Sequence, residues 1–328
     1  MTHVVIYGAG AIGGVIGAHL HASRTPTTLV ARGAHLAAMR EHGLVLDTAD
    51  GRQVHRIPVA ANAGEIEWTD DTVVLLCVKS QQTADALVDL RAHAPADTPI
   101  ASAQNGVANE PAILRRFART YSVCVMLPAL HLEPGVVVQG SAARPGILDV
   151  GRFPAGTDEV TEQMTERFRA AGFPSEPRAQ IMAWKYRKLI MNLVNGIDAC
   201  YRNDGAAHRE LVTRARAEGE AALTAARIET VSVETDRERR ADHIVRRDTG
   251  EDSYGSSTWQ SIARGAGNVE IDYLAGEIVL LGRLHGVATP VNELVQAATT
   301  RLARERLPAG SLDPVEALAG LPWGQAPD

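Results

Sequence analysis

Cysteine is scarce in this chain. Its 328 residues hold three, Cys77, Cys124 and Cys200, odd in number and far apart. That spacing excludes a disulfide framework and a clustered zinc site, and it points to a reducing cytoplasm. Excess positive charge is also missing. The formal net charge is −6 with scattered arginines, so no basic stripe offers itself to nucleic acid or to an anionic membrane. Long apolar runs are absent: residues 72–78 make a stretch of strand length, against the roughly 20 residues that cross a bilayer. The N-terminus passes straight into Val4-Val5-Ile6-Tyr7 without the features of an export signal. A soluble protein with no membrane partner is expected. HExxH pairs, clustered cysteines and GxSxG elbows are likewise missing, which removes the common metalloenzyme and serine hydrolase patterns and leaves no metal in the expected site.

What is present is the balance of a globular protein, 45% hydrophobic and 22% charged. At 328 residues the chain exceeds what one core usually supports, so two domains are expected. Short β-branched runs at 4–7, 27–30, 73–78, 100–103 and 122–126 alternate with helical patterns, which reads as βαβ units around a parallel sheet. Runs at 136–139 and 146–150 are expected to add an antiparallel element. Beyond Pro177 helical periodicity takes over, through 179–199, 210–224, 235–247 and 269–285. The expected division is 1–176 and 177–328. The stretch 214–247, rich in Ala, Arg and Glu, reads as a solvated helical face. The apolar stretch 269–284 is a candidate homodimer interface, and the tail 307–328, rich in Pro, Gly and Ala, reads as a loosely held end.

The first strand runs into Gly8-Ala9-Gly10-Ala11-Ile12-Gly13-Gly14 and then into a helical pattern. A GxGxxG string between strand and helix is the context that gives it meaning. Gly8 permits the tight turn, Gly10 lets backbone approach a pyrophosphate, Gly13 lets helix and strand pack closely, and the helix N-terminus offers N–H groups to phosphate. Gly8, Ala9, Gly10, Ala11, Ile12 and Gly13 are therefore expected to hold a dinucleotide, with a ligand-free glycine turn as the bland alternative. The expected fold is α/β, a Rossmann-type doubly wound sheet followed by an all-α domain. The second strand ends at Ala31-Arg32 with no acidic residue to hold a ribose 2′-hydroxyl. Arg32 offers a forked cation to a 2′-phosphate, which favours NADP(H) over NAD(H), unless it is an ordinary surface arginine. Lys79 and Gln82 follow the third strand and Asn105-Gly106 the fourth. Carboxyl ends of parallel strands are where open α/β sheets bind ligands, although Lys79 and Gln82 equally fit a solvated loop.

In the helical half, Lys188, Asn192 and Asn195 stand at i, i+4 and i+7 and share one face of an otherwise apolar helix. Such a polar stripe needs partners, either a ligand or an internal hydrogen-bonded network. With this helix the chain resembles the 2-dehydropantoate 2-reductase (ketopantoate reductase) family. The resemblance is carried by the glycine turn with Arg32, Lys79 to Gln82, Asn105-Gly106, His131, Arg187-Lys188-Leu189 with Asn192, Ser256-Ser257, Glu270-Ile271-Asp272-Tyr273 and His285-Gly286-Val287. It implies NADPH-dependent reduction of a small 2-oxo acid, most simply 2-dehydropantoate to pantoate. It further implies Lys188 as general acid and Glu270 as the residue that orients substrate and lysine, with Asn105, Asn192 and Ser257 binding substrate or cofactor; Asn195, on the same helical face, is a further substrate-binding candidate. A hydride reaching the ketone carbon builds negative charge on oxygen, which an ammonium stabilises and protonates. Taken without the resemblance, Glu270 fits a surface charge and Ser257 a helix N-cap; against the family pattern the stretch from Ser256 to Glu270 is a residue longer, which makes Ser256 the alternate for the site. Family members acting on ketopantoate commonly carry an asparagine four residues beyond the first, followed by proline. Here Asn195 comes three residues on and precedes Gly196, which leaves another 2-oxo acid as an alternative substrate. A non-catalytic NADPH-binding regulator is the alternative from another class.

Overall fold

The first strand, His3–Tyr7 (β1), is β-branched throughout its middle and buried from Val4 onward, as expected of a central strand covered on both faces. A computed structural model describes residues 3–322 apart from 132, 204, 242, 246, 248–254 and 266. Around β1 a seven-stranded sheet forms. Its further members are Thr27–Val30 (β2), Val59–Ala60 (β5), Thr72–Leu76 (β6), Ile100–Ser102 (β7), Thr120–Met126 (β8) and Ile147–Arg152 (β11). The order is β11-β8-β7-β6-β1-β2-β5, parallel except that β11 runs antiparallel to β8. The chain winds outward from β1 in both directions. That reversal of strand order opens a crevice at the carboxyl end of β1, where doubly wound sheets bind ligands.

The helices Ala11–Ala22 (α1), Gly33–His42 (α2), Thr83–His93 (α3), Asn109–Leu114 (α4) and Glu159–Ala170 (α5) connect and cover these strands. A second sheet, absent from the sequence reading, has the order β4-β3-β10-β9. It consists of the hairpin Leu44–Thr48 (β3) and Gly51–His55 (β4), with Ala129–Leu130 (β9) and Val136–Gln139 (β10). The run at 136–139 thus pairs in parallel with β3 instead of extending the main sheet. The run at 146–150 takes the expected antiparallel place as β11.

Two compact units emerge, Met1–Lys185 with Val231–Asp248, and Tyr186–Thr230 with Thr249–Asp328. The division falls inside the helix Ile181–Cys200 (α6) and not at residue 176. The reason is packing: Ile181 and Trp184 of its first turn are buried with Cys124, Met126 and Ile147 of the sheet. Residues 231–248 return to the same unit. Within them, on the helix Val233–Arg240 (α8, following the helix Gly205–Ala225, α7), Arg239 grips Asp149 of β11 with two nitrogens, at 2.9 and 2.5 Å. Arg247 reaches Asp47 of β3 at 2.8 Å. Arg239 is an exception to the expected solvated face, being only 9% exposed against an Asp149 at 0%, while Arg216, Glu234, Arg237 and Glu238 are exposed.

In the second unit, α7 packs against Ala275–His285 (α10), Pro290–Glu305 (α11) and Pro314–Ala319 (α12), and α11 also against α10 and Ser257–Ala263 (α9), while Ile190 and Leu193 of α6 lie against Gly219 of α7. Leu189, Ile190, Leu193 and Ile197 of α6 are buried together with Leu211, Ile278, Val295 and Leu302. The tail is not loosely held over its described part. Asp313 caps α12 through the Val315 N–H at 2.8 Å, Leu312 bridges to Tyr201, and Leu321 is buried. Residues 323–328 lie outside the described residues. No helix among the described residues is long and apolar enough to cross a membrane.

Candidate active site

The glycine turn sits between β1 and α1 at the point where strand order reverses. Gly8 has φ +106°, and a Cβ there would stand 2.7 Å from Val78 Cγ1 and from the Val78 nitrogen; at Gly13 it would stand 2.3 Å from the Gly8 carbonyl oxygen. Both positions exclude any larger residue because backbone, not a movable side chain, fills the space. Gly10 is different, since a Cβ there meets nothing within 4 Å. That open flank beside an uncapped helix start fits the pyrophosphate of a dinucleotide. The Gly8 and Ala9 N–H groups donate to the Val30 carbonyl at 3.0 and 2.9 Å, so the turn is strung from the end of β2. Ala11 and Ile12 open α1 behind Gly10.

Arg32 follows β2, is exposed, and immediately precedes α2. The Tyr7 hydroxyl donates to Asp89 Oδ2 at 2.5 Å and lies within reach of the Arg32 guanidinium. Burial, and then Asp89, push the Tyr7 phenol well above its ordinary value, so it stays a neutral donor. The arginine is thus placed beside the carboxyl ends of β1 and β2 with a carboxylate behind it.

Lys79 and Gln82 bracket a short 3-10 turn after β6, and the Gln82 side-chain oxygen accepts from the Lys79 N–H at 3.3 Å. Asn105 follows β7, half-buried, and Gly106 turns the chain with φ +75°. Buried polar groups missed by the sequence reading lock these two turns together. Gln104 Nε2 donates to the Val78 carbonyl at 2.9 Å and to Thr83 Oγ1 at 2.8 Å. Thr83 Oγ1 donates to Asn109 Oδ1 at 2.8 Å, and Asn109 Nδ2 reaches Ser80 Oγ at 3.1 Å and the Asn105 carbonyl at 3.3 Å. A satisfied network of this kind holds its members in one arrangement. Just beyond it, Glu110 is buried, accepts from Ser122 Oγ at 2.7 Å, and pairs with buried Lys185 in the first turn of α6.

The remaining expected site residues lie in the second unit. Lys188, Asn192 and Asn195 are all half-buried on one face of α6. Ser256 is the N-cap of α9: its hydroxyl accepts from the Trp259 N–H at 3.3 Å and donates to the Asn195 carbonyl at 2.9 Å. Ser257, half-buried, is the first residue of that helix, so capping falls to Ser256. Glu270 opens a 3-10 turn, Glu270–Tyr273, and is buried at 8% exposure, which corrects the surface-charge alternative. His131 lies in the first unit, its Nδ1 3.0 Å from the Val136 carbonyl.

A doubly wound sheet with a glycine turn at its switch point is the architecture of a dinucleotide-binding domain. Comparison with known proteins gives the family. The model described as ketopantoate reductase PanE/ApbA matches residues 4–155, and that described as ketopantoate reductase PanE/ApbA C terminal matches residues 180–303. A 2-dehydropantoate 2-reductase of Pyrococcus horikoshii is 28% identical over 310 residues, covering 94% of this chain and 99% of that protein. One of Mesorhizobium japonicum is 30% identical, covering 92% and 98%. The crystal structure of a PanE/ApbA family ketopantoate reductase from Ralstonia eutropha superposes with a TM-score of 0.78 at 25% identity, covering 93% and 99%. The chain belongs to the ketopantoate reductase family, and as such is an oxidoreductase acting on a C=O/CH–OH pair.

Proposed function

We propose that this protein reduces 2-dehydropantoate to pantoate with NADPH, with Lys188 as the proton donor. The observation that carries the reading is the half-buried face of α6 bearing Lys188 and Asn192, in a chain whose other unit keeps the glycine turn and Arg32. Bound NADPH supplies the hydride. The Lys188 ammonium donates a proton to the substrate carbonyl oxygen as charge grows there, which is worth about 10²–10⁴-fold for a well-placed general acid. Glu270 orients that ammonium and a substrate hydroxyl, while Asn105, Asn192, Asn195 and Ser257 donate hydrogen bonds to the substrate. Gly8 to Gly13 hold the pyrophosphate, Arg32 the 2′-phosphate, and Lys79 and Gln82 the remaining polar edge of the cofactor.

A second substrate is favoured by one observation. Gly196 packs against Val295 and Ile271, where a Cβ would stand 2.7 and 2.8 Å from their side chains, and α6 continues unbroken to Cys200. The asparagine-proline pattern common in ketopantoate-reducing relatives is absent here, so another 2-oxo acid is the alternative. Loss of nicotinamide absorbance on adding 2-dehydropantoate, compared with a panel of branched and aromatic 2-oxo acids, separates the two. Oxidation of NADPH by none of them, with folded protein, contradicts both. The same reading places the enzyme in the cytoplasm, in keeping with Cys77, Cys124 and Cys200, none of which is in a disulfide. It also assigns a homodimer through α10, where Leu280 and Leu284, one turn apart, are 49% and 66% exposed; a sedimenting mass of one chain at micromolar concentration contradicts that assignment.

A further inference from the structure

We propose that His35 is a positioning residue for the cofactor, fixing the Ala9–Gly10 peptide of the glycine turn and tying it to the turn that starts with Arg32. The inference rests on the NADPH reading above. His35 is the third residue of α2, three positions beyond Arg32. Its Nε2 stands 2.8 Å from the Ala9 carbonyl oxygen, and its Nδ1 accepts from the Gly135 N–H at 2.8 Å. A backbone N–H only donates, so Nδ1 carries no proton and the ring proton sits on Nε2, donating to Ala9. Two backbone partners of opposite kind therefore select one neutral tautomer.

The remainder of the turn shows why this hold matters. The Gly8 and Ala9 N–H groups are already committed to the Val30 carbonyl, and the Gly10 carbonyl accepts from the Gly14 N–H at 2.7 Å. The Ala9–Gly10 peptide is the remaining link, and His35 fixes its carbonyl end. Because a trans peptide sets C=O and N–H in opposite directions, a carbonyl turned to His35 aims the Gly10 N–H away from it. Gly10 is the glycine of the turn with open space beside it. His35 thus presets the donor that a pyrophosphate meets, which spares the cofactor the cost of ordering the turn.

Protonation undoes the arrangement, since an imidazolium sets a second N–H against the N–H of Gly135. The titratable group facing the ring is His131, with ring centroids 4.1 Å apart. The glycine turn and Gly135 meet His35 with backbone, and the charged residues adjoining those contacts are Arg32 just before α2 and Glu133 ahead of Gly135. Burial, and then His131, hold His35 below the ordinary histidine value of 6.5, which keeps it neutral at physiological pH.

The test is equilibrium binding of NADPH and NADH to the full chain, followed by nicotinamide fluorescence. His35→Ala is expected to raise the NADPH Kd about tenfold, as for one lost preorganising hydrogen bond, with the effect on KM rather than kcat. His35→Gln, which restores an N–H donor, is expected to recover most of it. NADH has no 2′-phosphate to titrate, so its Kd for the wild type should rise as pH falls through the lowered His35 value and should stay level for His35→Gln, which retains His131. A His35→Ala Kd within about twofold of wild type, or an NADH profile that His35→Gln leaves unchanged, overturns the proposal. If His35→Ala does not fold, the NADH profiles decide alone. Wild-type protein that binds no NADPH overturns the cofactor reading instead.

Discussion

Lys185 is 3% exposed and Glu110 0%, and the two form an ion pair that Ser122 joins from β8. Burying both charges is costly, and removing one leaves the other without compensation. The second Glu110 oxygen, Oε2, already has no hydrogen-bond partner among the described residues. Lys185→Met is therefore expected to destabilise the fold by about 3–5 kcal/mol, read from denaturant midpoints, with Lys185→Met/Glu110→Gln recovering part of the loss. A single-variant loss below about 1 kcal/mol would place the pair outside the core's energetics. At this scale the sequence was informative only where residues share an element. Lys188, Asn192 and Asn195 are legible because helical spacing alone sets them on one face. Lys185 stands one turn earlier in the same helix, but its partner lies 75 positions back, beyond the reach of any local pattern. His35 escaped for the same reason: its partners Ala9 and Gly135 come from segments 26 and 100 positions away.

Six of the seven strands of the main sheet were legible as short runs rich in buried residues, as in β1, β6 and β8, whereas the two-residue β5 left no such run. The second sheet was not legible. Its hairpin strand β4 is exposed at four of its five positions, so no hydrophobic alternation marks it, and β3 pairs with β10 across some ninety residues. The tail was misjudged on composition. Pro314 at a first helical position and Asp313 as its cap start α12, a signal that a high content of Pro and Ala obscured. The glycine turn yields the prediction at this scale. Gly13→Ala would set a methyl 2.3 Å from the Gly8 carbonyl, so α1 and β1 must separate. A loss of about 1–3 kcal/mol in stability with weakened NADPH binding is expected, measured by thermal unfolding and by titration. An Ala variant with unchanged melting and binding would show that the close approach is dispensable.

Over the whole molecule, buried and half-buried histidines set the response to acid. His3, His19, His35 and His55 are all held below 6.5, in each case first by burial, with His21 and His19 adding to the shift at His55. The unfolded chain then takes up protons before the native one does. The stability these groups contribute is complete above about 6.5 and is lost as pH falls through their folded values. Glu218 acts in the opposite sense, since burial raises its carboxyl above 4.5, but it is one group against four. A urea midpoint lower at about pH 5.5 than at about pH 7.5 is expected, and an equal or higher one contradicts this balance. The proposed function rests centrally on Lys188 as the proton donor. The direct measurement is turnover of 2-dehydropantoate and NADPH affinity for Lys188→Ala beside wild type. The account predicts turnover down by about 10²–10⁴-fold with the NADPH Kd nearly unchanged; a variant that keeps wild-type turnover would contradict it.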